Sequence, residues 1–285
     1  MTNSPLNSAF THQYLRLLTI AGSDSGGGAG IQADLKTFSA LGCFGMSAIT
    51  ALTAQNTTGV RSIHGVPADM LRDQIDAVME DIGVDAVKIG MLHSPEVVQT
   101  VASAIDRHAL AHVVLDPVMV ATSGAVLIDS PAIAALVREL FGRAVVITPN
   151  LDEASLLVGR TLANEQDMQA AAIELLAKGA NAVLVKGGHL AGDVVSDLLQ
   201  VAGGAPHWMR APRIATANTH GTGCTLSSAI AAYLALGYTL VDAVEAARLY
   251  VRGALAAGAS VKTGQGNGPL NHSFAPLPMR LLPLK

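Results

Sequence analysis

Short runs of apolar and β-branched residues recur along the whole chain, and turn-forming residues separate them. Runs of this length and composition are typical of strands that are buried on both faces of a sheet. The pattern predicts these strands: Leu17–Ala21, Ala48–Leu52, Ala86–Ile89, Val113–Leu115, Ala144–Thr148 and Ala182–Lys186.

Segments with helical periodicity lie between and after these runs. They predict helices over Ile31–Leu41, Ala68–Asp81, Pro95–His108, Pro131–Leu140, Glu165–Lys178, Thr225–Leu236 and Leu240–Gly258. The alternation of strand and helix predicts an α/β fold with right-handed crossovers and a mainly parallel sheet. Val194–Gln200 and the segment around Trp208 predict an antiparallel pair at one edge of that sheet. Ligands of such folds bind at the carboxyl ends of the parallel strands.

The composition adds a limit on the classes of function. The chain has 285 residues, of which 50% are hydrophobic and 14% charged, so it can bury a large core and is neither disordered nor coiled-coil. A formal charge of -4 gives no general attraction for nucleic acid or an anionic membrane. Cys43 and Cys224 form no disulfide framework or zinc-binding spacing, which indicates a reducing compartment.

The first sixteen residues, Met1–Arg16, are polar and lack a basic start followed by an apolar stretch. We predict that they form a flexible tail. The later apolar runs end well before the roughly 18 to 20 residues that span a bilayer. We therefore expect a soluble, cytoplasmic protein with no membrane partner.

A glycine-rich segment, Gly22–Gly30, follows the first predicted strand and precedes a helix. Glycines at this position let the backbone approach a ligand closely. The segment lacks the Gly-Lys-Ser/Thr of a phosphate-binding P-loop, and Ala33 replaces the last glycine of the dinucleotide-binding pattern. This disfavours a Rossmann dehydrogenase. The alternative is an ordinary turn with serine and aspartate caps.

A second turn, Thr219–Thr225, directly precedes an alanine-rich helix. Gly221, Thr222 and Gly223 at a helix start predict unpaired N–H groups, which together with the helix dipole favour an anion such as a phosphoryl group in transfer. Cys224 lies in the first turn, where the dipole is expected to lower the pKa of its thiol and make it a candidate base. The alternative is a buried cysteine that acts as a small hydrophobic residue.

Oxygen-bearing and cationic side chains follow the other predicted strands. Asn150 and Glu153 lie three residues apart on a predicted first helical turn, and their oxygens suit Mg²⁺. They also fit an N-cap and its capping-box partner, a common structural arrangement. Asp116 and Lys186 end two further strands and could serve a metal and a phosphate.

Taken together, these strand-end motifs resemble the hydroxymethylpyrimidine/phosphomethylpyrimidine kinases of thiamine biosynthesis, members of the ribokinase-like superfamily. The resemblance covers Leu17 to His272. Its most specific segments are Ala-Gly-Ile-Gln-Ala-Asp-Leu-Lys-Thr from Ala29, Thr-Ala-Leu-Thr-Ala-Gln-Asn-Thr from Thr50, Lys-Ile-Gly-Met-Leu from Lys88 and His-Gly-Thr-Gly-Cys-Thr-Leu from His220.

The resemblance implies a three-layer α/β/α kinase domain over residues 17–272, followed by a C-terminal tail over 273–285. It implies an enzyme that uses ATP and Mg²⁺ to phosphorylate 4-amino-5-hydroxymethyl-2-methylpyrimidine to its monophosphate and then its diphosphate, and it favours a homodimer.

The resemblance also assigns roles to residues. Gln55 would bind the aminopyrimidine, because its amide can donate and accept hydrogen bonds at once. Asp34, Gly22, Met91 and Val118 would lie around the substrate. On the MgATP side, the resemblance implies that Asn150, Lys186 and Thr222 bind the nucleotide. It implies that Asp116 and Glu153 hold the metal through water.

Sugar kinases of the superfamily have an aspartate where this chain has Cys224, and an aspartate would repel a phosphorylated acceptor. We hypothesise that a neutral or weakly ionised thiol permits both acceptors, the alcohol and the phosphomonoester. The chain departs from the family pattern at Gly26, where serine is common, and at Gln265, where lysine is common. The second departure removes a cation that could assist phosphate binding.

Two alternatives remain open. A pyridoxal kinase of the same superfamily could use the same turn, with Cys224 able to add to an aldehyde. A non-catalytic pyrimidine-binding regulator could retain the pocket, although such a protein has no need of the Gly221–Cys224 turn with Asn150 and Glu153.

Overall fold

A computed structural model describes residues 10–120 and 128–284, and the first nine residues of the predicted N-terminal tail lie outside them. The strands are β1 His12–Tyr14, β2 Arg16–Asp24, β3 Phe44–Asn56, β4 Gly59–Gly65, β5 Ala86–Ile89, β6 Val113–Leu115, β7 Val146–Ile147, β8 Ala182–Val185, β9 Val194–Val201, β10 His207–Pro212 and β11 Leu281–Pro283. The helices are α1 Gly30–Ala40, α2 Ala68–Asp81, α3 Pro95–His108, α4 Ser130–Leu140, α5 Leu151–Val158, α6 Glu165–Ala177, α7 Thr222–Ala235 and α8 Leu240–Gly258.

A nine-stranded sheet with the order β10-β9-β8-β7-β6-β5-β2-β3-β4 forms the centre of the fold. The six strands from β8 to β3 are parallel. At one edge of the sheet β4 pairs antiparallel with β3, and at the other edge β9 pairs antiparallel with both β8 and β10. The chain runs from β2 to β3 on one side and returns to β5 on the other. This reversal creates a crevice at the carboxyl ends of β2 and β5, where ligands of α/β proteins bind.

Two apolar clusters cover the two faces of the sheet. Successive residues of one strand belong to different clusters, as Val113 and Val114 of β6 do, because side chains alternate between the two faces of a strand. Helices α2 to α6 contribute to the first cluster, and α1, α7 and α8 contribute to the second. The predicted three-layer α/β/α fold with a mainly parallel sheet is therefore confirmed.

The predicted elements agree closely with the observed ones. The bounds of α2, α3, α8, β5 and β6 coincide with the prediction, and the antiparallel edge pair β9–β10 is confirmed. The sequence analysis missed β4, whose middle residues are exposed and lack an apolar face, and it predicted only the first turn of α5, which has eight residues. None of the described helices is both long and apolar enough to cross a membrane.

The two predicted tails pair with each other where the structure describes them. Residues 12–14 form β1, which is antiparallel to β11 at residues 281–283. The C-terminal segment also follows the end of α1, since the Leu277 N–H donates to the Ala40 carbonyl (2.8 Å) and the Arg280 N–H to the Gly42 carbonyl (2.7 Å). The prediction of a flexible tail is thus wrong for residues 12–14, because a distant segment supplies their strand partner.

Candidate active site

A cavity of about 540 Å³ opens at the carboxyl ends of the parallel strands. Nearly all of the predicted site residues line it: Gly22, Gln55, Met91, Asp116, Val118, Asn150, Glu153, Lys186, Gly221, Thr222, Gly223 and Cys224. Asp34 does not. The sequence placed these residues at separate strand ends, and the parallel sheet brings those ends to one edge.

The glycine loop, defined as residues 22–30, is a close-packed turn between β2 and α1. A register shift interrupts the pairing of β2 with β3 between Ala21 and Ser23. Gly30 has a φ of 56°, and a Cβ there would collide with the carbonyl oxygen of Gly22. The Ser25 hydroxyl donates to the Gln55 carbonyl (2.7 Å) and accepts from the Gln55 N–H (2.8 Å), so the loop is bound to β3. The loop thus lies beside the predicted pyrimidine-binding residue.

The side chain of Gln55 faces this cavity with its hydrogen-bonding groups. The Thr53 hydroxyl lies 2.9 Å from the Ser23 carbonyl, to which it donates, and 3.1 Å from Gln55 Oε1. None of the described residues accepts a hydrogen bond from the Gln55 amide nitrogen, so this group can donate to a ligand. Gly22, Met91 and Val118 line the same end of the cavity. This end therefore combines an amide with apolar surface, as a planar heteroaromatic ligand requires.

The anion-hole turn, defined as residues 221–224, begins α7. Gly221 is the N-cap with a φ of 84°, and no side chain caps the helix. A Cβ at Gly221 would collide with the Gly28 carbonyl oxygen, so glycine is required for both conformation and space. Among the described residues, no group accepts a hydrogen bond from the backbone N–H of Gly223 or Cys224. The predicted anion site at a helix start is therefore present in the geometry.

The thiol of Cys224 differs from its prediction. Burial raises its pKa to about 11; the Lys88 ammonium and the Gly30 N–H lower the value, while the carboxylates of Asp34 and Asp116 raise it. The predicted lowering of this pKa by the helix dipole is wrong, because desolvation and two nearby carboxylates outweigh it. The thiol is consequently neutral near pH 7. This is the protonation state on which the hypothesis of two acceptors depends.

Asp34 lies behind the cavity wall, which corrects its assignment to the substrate. Its carboxylate is fully buried and accepts hydrogen bonds from Lys88 Nζ (2.9 Å to both oxygens), Thr19 (2.6 Å) and Ser228 (2.7 Å). Lys88, which the sequence analysis did not single out, contributes to the cavity lining and adds positive charge near Cys224. The sequence held one signal of a buried cation here: Lys88 lies between two apolar neighbours in a strand that is buried on both faces.

A further group of polar side chains in the cavity consists of Asp116, Lys186, Asn150 and Glu153. Lys186 Nζ lies 2.9 Å from Asp116 Oδ1 and 3.9 Å from Glu153 Oε2. Asn150 and Glu153 form the capping box of α5: the Asn150 N–H donates to Glu153 Oε2 (2.8 Å), and the Glu153 N–H donates to Asn150 Oδ1 (2.9 Å). Burial raises the pKa of Glu153 to about 7; Lys186 opposes this shift and Asp116 adds to it. The capping alternative is thus confirmed, while both carboxylates also line the cavity.

The far end of the cavity, beside α8, is partly apolar, and the sequence analysis gave it no role. Its lining includes Ile214, Leu226, Val251 and Leu255, which come from the segment after β10 and from α7 and α8. Arg213 donates hydrogen bonds to the carbonyls of residues 188, 190 and 192, and so it fixes the loop beside this end. Leu226 belongs to the motif that begins at His220, whereas no local motif marks the other three, because segments distant in sequence provide them.

Both departures from the family pattern lie outside the cavity lining. The Gly26 N–H donates to Asp24 Oδ1 (2.8 Å), and a Cβ there would lie 3.0 Å from the Asn56 Cα. The Gln265 N–H donates to the Thr57 hydroxyl (3.2 Å) in the turn between β3 and β4. Gln265 therefore lies on the Gln55 side of the molecule, away from Asn150 and Lys186.

Comparisons with known proteins agree with this geometry. The family model for phosphomethylpyrimidine kinase matches residues 24–271. The hydroxymethylpyrimidine/phosphomethylpyrimidine kinase of Rhizobium meliloti is 52% identical over 256 residues, which cover 90% of this chain and 96% of that protein.

Solved structures give the same result for the fold. The phosphomethylpyrimidine kinase of Clostridium difficile 630 has a TM-score of 0.74 and 44% identity, and the match covers 85% of this chain and 99% of that one. The pyridoxal kinase of Staphylococcus aureus in complex with AMP-PCP and pyridoxal has a TM-score of 0.84 and 33% identity, covering 95% and 100%. Identity is thus higher to the pyrimidine kinase, although the pyridoxal kinase superposes over more of the chain. The chain belongs to the phosphomethylpyrimidine kinase family, and it is a kinase.

Proposed function

We propose that this protein transfers a phosphoryl group from ATP to the hydroxymethyl group of 4-amino-5-hydroxymethyl-2-methylpyrimidine, and then a second one to the monophosphate, in thiamine biosynthesis. One observation carries the proposal: the Gln55 amide and the unpaired N–H groups of Gly223 and Cys224 line one cavity. The family and its named relatives support the same reaction.

On the acceptor side, the Gln55 amide binds the aminopyrimidine edge, and Met91 and Val118 contact the ring. The hydroxymethyl group then points to Cys224. Because the pKa of that thiol is raised to about 11 by burial, Cys224 does not carry a fixed negative charge near the acceptor. A phosphorylated acceptor is therefore not repelled, and the loose transition state of phosphoryl transfer needs little base assistance for the alcohol.

On the donor side, the transferred phosphoryl group lies at the start of α7. The N–H groups of Gly223 and Cys224 donate to its oxygens, and the dipole of α7 favours their charge. Lys186 supplies the cation nearest to this turn: a Cβ at Gly223 would lie 3.1 Å from Lys186 Nζ. Asn150 and Thr222 bind the nucleotide phosphates, and the partly apolar far end of the cavity accepts the adenine.

The residues also fit a magnesium ion brought by the nucleotide. Asp116 and Glu153 place two carboxyl groups beside the ammonium of Lys186, at 2.9 Å and 3.9 Å. The described residues include no group of three or more candidate ligands able to hold a metal by themselves. One or two carboxylates with waters and phosphates is the usual environment of Mg²⁺. When bound, such an ion would neutralise charge on the phosphates, and Asp116 and Glu153 would be the residues that hold it through water.

A pyridoxal kinase is the second candidate, because the neighbour from Staphylococcus aureus is a pyridoxal kinase in complex with pyridoxal and AMP-PCP. The higher identity to pyrimidine kinases favours the first candidate. The non-catalytic regulator loses its support, since the chain belongs to a kinase family. The homodimer remains a prediction from the resemblance, and the cytoplasmic location remains a prediction from the sequence pattern.

The test is to incubate the purified protein with MgATP and either the hydroxymethylpyrimidine or pyridoxal, and to follow the phosphorylated products by mass spectrometry. The proposal requires both the monophosphate and the diphosphate of the pyrimidine. Monophosphate alone would limit the enzyme to its first step, and phosphorylation of pyridoxal alone would favour the second candidate. Gln55→Leu should abolish pyrimidine turnover, whereas Gln166→Leu on the exposed face of α6 serves as the matched control.

A further inference from the structure

A buried hydrogen bond joins two segments that are 196 residues apart. His220 Nε2 donates to Asp24 Oδ2 at 2.8 Å, and the two side chains are only 8% and 3% exposed. Asp24 ends β2 within the glycine loop, and His220 directly precedes the anion-hole turn. The catalytic assignments above give neither residue a role.

The carboxylate of Asp24 also organises the glycine loop. It accepts hydrogen bonds from the N–H groups of Gly26 (2.8 Å), Gly28 (3.1 Å) and Ala29 (2.9 Å). Burial acts to raise the pKa of Asp24, but the hydrogen bonds from His220, Ala29 and Gly26 outweigh it and lower the value. Asp24 is therefore an ionised acceptor that connects the whole loop to the His220 ring.

Close packing accompanies this pair. A Cβ at Gly28 would collide with the His220 ring, and a Cβ at Gly221 would collide with the Gly28 carbonyl. The His220 N–H donates to the Gly268 carbonyl at 3.0 Å, so the C-terminal glycine-rich segment packs against the same residue. The glycine loop and the anion-hole turn thus contact each other directly beside the cavity.

We propose that His220 and Asp24 are positioning residues that fix the glycine loop, at the acceptor end of the cavity, relative to the anion-hole turn at the phosphoryl end. This inference rests on the proposed function. In-line transfer requires the acceptor oxygen and the phosphorus to lie about 3 to 3.5 Å apart, and a misplacement of about 1 Å costs on the order of 100-fold in rate. The two segments that set this separation are joined by the pair.

The kinetic test compares His220→Ala, His220→Gln and Asp24→Asn in the full-length protein. The alanine variant should lose about 100-fold in kcat for the pyrimidine and its monophosphate alike, with the KM for ATP unchanged. Glutamine can place an N–H near the position of Nε2 and should restore most of the turnover. In the Asp24→Asn background, His220→Ala should cause little further loss, because the two residues act as one unit. Equal losses in the alanine and glutamine variants, or additive losses with Asp24→Asn, would overturn the proposal.

A second measurement needs no substrate. Amide hydrogen exchange should become faster in residues 26–29 in His220→Ala and stay at the wild-type rate in His220→Gln. Unchanged exchange in the alanine variant would overturn the inference even if the enzyme phosphorylates a different acceptor. A failure of the proposed function would be seen in a different measurement, because the wild-type enzyme would then form no phosphorylated pyrimidine. If His220→Ala does not fold, Asp24→Asn gives the same exchange test with a side chain of the same shape.

Discussion

Replacing Glu153 by glutamine should stabilise the protein at pH 8 and change its stability much less at pH 5. Glu153 is buried at the first turn of α5, 3.9 Å from the Lys186 ammonium. Burial raises its pKa from 4.5 to about 7, and the neighbouring carboxylate of Asp116 adds to the shift. Glutamine has nearly the same shape and can also serve as the third residue of a capping box with Asn150. The substitution therefore removes the ionisable group and keeps the helix cap.

The magnitude follows from the linkage between proton binding and folding. Glu153 has a folded pKa above its unfolded value, so its stabilising contribution is complete below pH 4.5 and is lost as the pH rises through about 7. The full difference between these pKa values corresponds to about 3 kcal/mol of free energy of unfolding. Since part of it is already lost at pH 5, glutamine should gain about 2 kcal/mol or more between pH 5 and pH 8.

The assay is urea denaturation of wild type and Glu153→Gln at a series of pH values without nucleotide. Asp167→Asn is the matched control, because Asp167 is also the third residue of a helix and donates its N–H to the N-cap Asn164 (2.9 Å), but it is only half-buried. It reports the cost of replacing a carboxylate by an amide at a helix start. If Glu153→Gln follows the same pH dependence as wild type, burial does not raise this pKa and the argument is refuted.

Other substitutions test the remaining parts of the site. Cys224→Asp should slow the second phosphorylation more than the first, because a fixed carboxylate repels the monophosphate; equal losses in kcat for both acceptors would contradict the role of the neutral thiol. Lys88→Met should lower the free energy of unfolding by about 3 to 5 kcal/mol, since it leaves the buried Asp34 without its cation. In the double variant with Asp34→Leu, urea denaturation should show that this free energy is regained. A double variant that stays as unstable as Lys88→Met would argue against the stabilising role of the Lys88–Asp34 pair. Gly221→Ala should abolish turnover, because its Cβ would collide with the Gly28 carbonyl; full kcat in a folded variant would show that this contact is not required.

The local pattern was sufficient for most of the secondary structure. Helix α3 was predictable because Ser94 caps it, Pro95 begins it and its apolar residues recur on one face. Strand β5 was predictable because both faces are buried, and three of its four residues are apolar or small. The strand β1 could not be found in this way, since its partner β11 lies at the other end of the chain.

The sequence determined that glycine turns and polar side chains follow successive buried strands, and a parallel sheet then requires those strand ends to meet at one edge. Tertiary structure decided what each group does there. Asp34 lies in a conspicuous motif, yet packing of α1 against β2 and α7 directs its carboxylate to Lys88 and Ser228 behind the cavity. The helix start alone predicts an acidic thiol for Cys224, but the surrounding carboxylates and burial raise its pKa instead. Desolvation and long-range charge depend on every element around a group, and these are fixed only when the chain has folded.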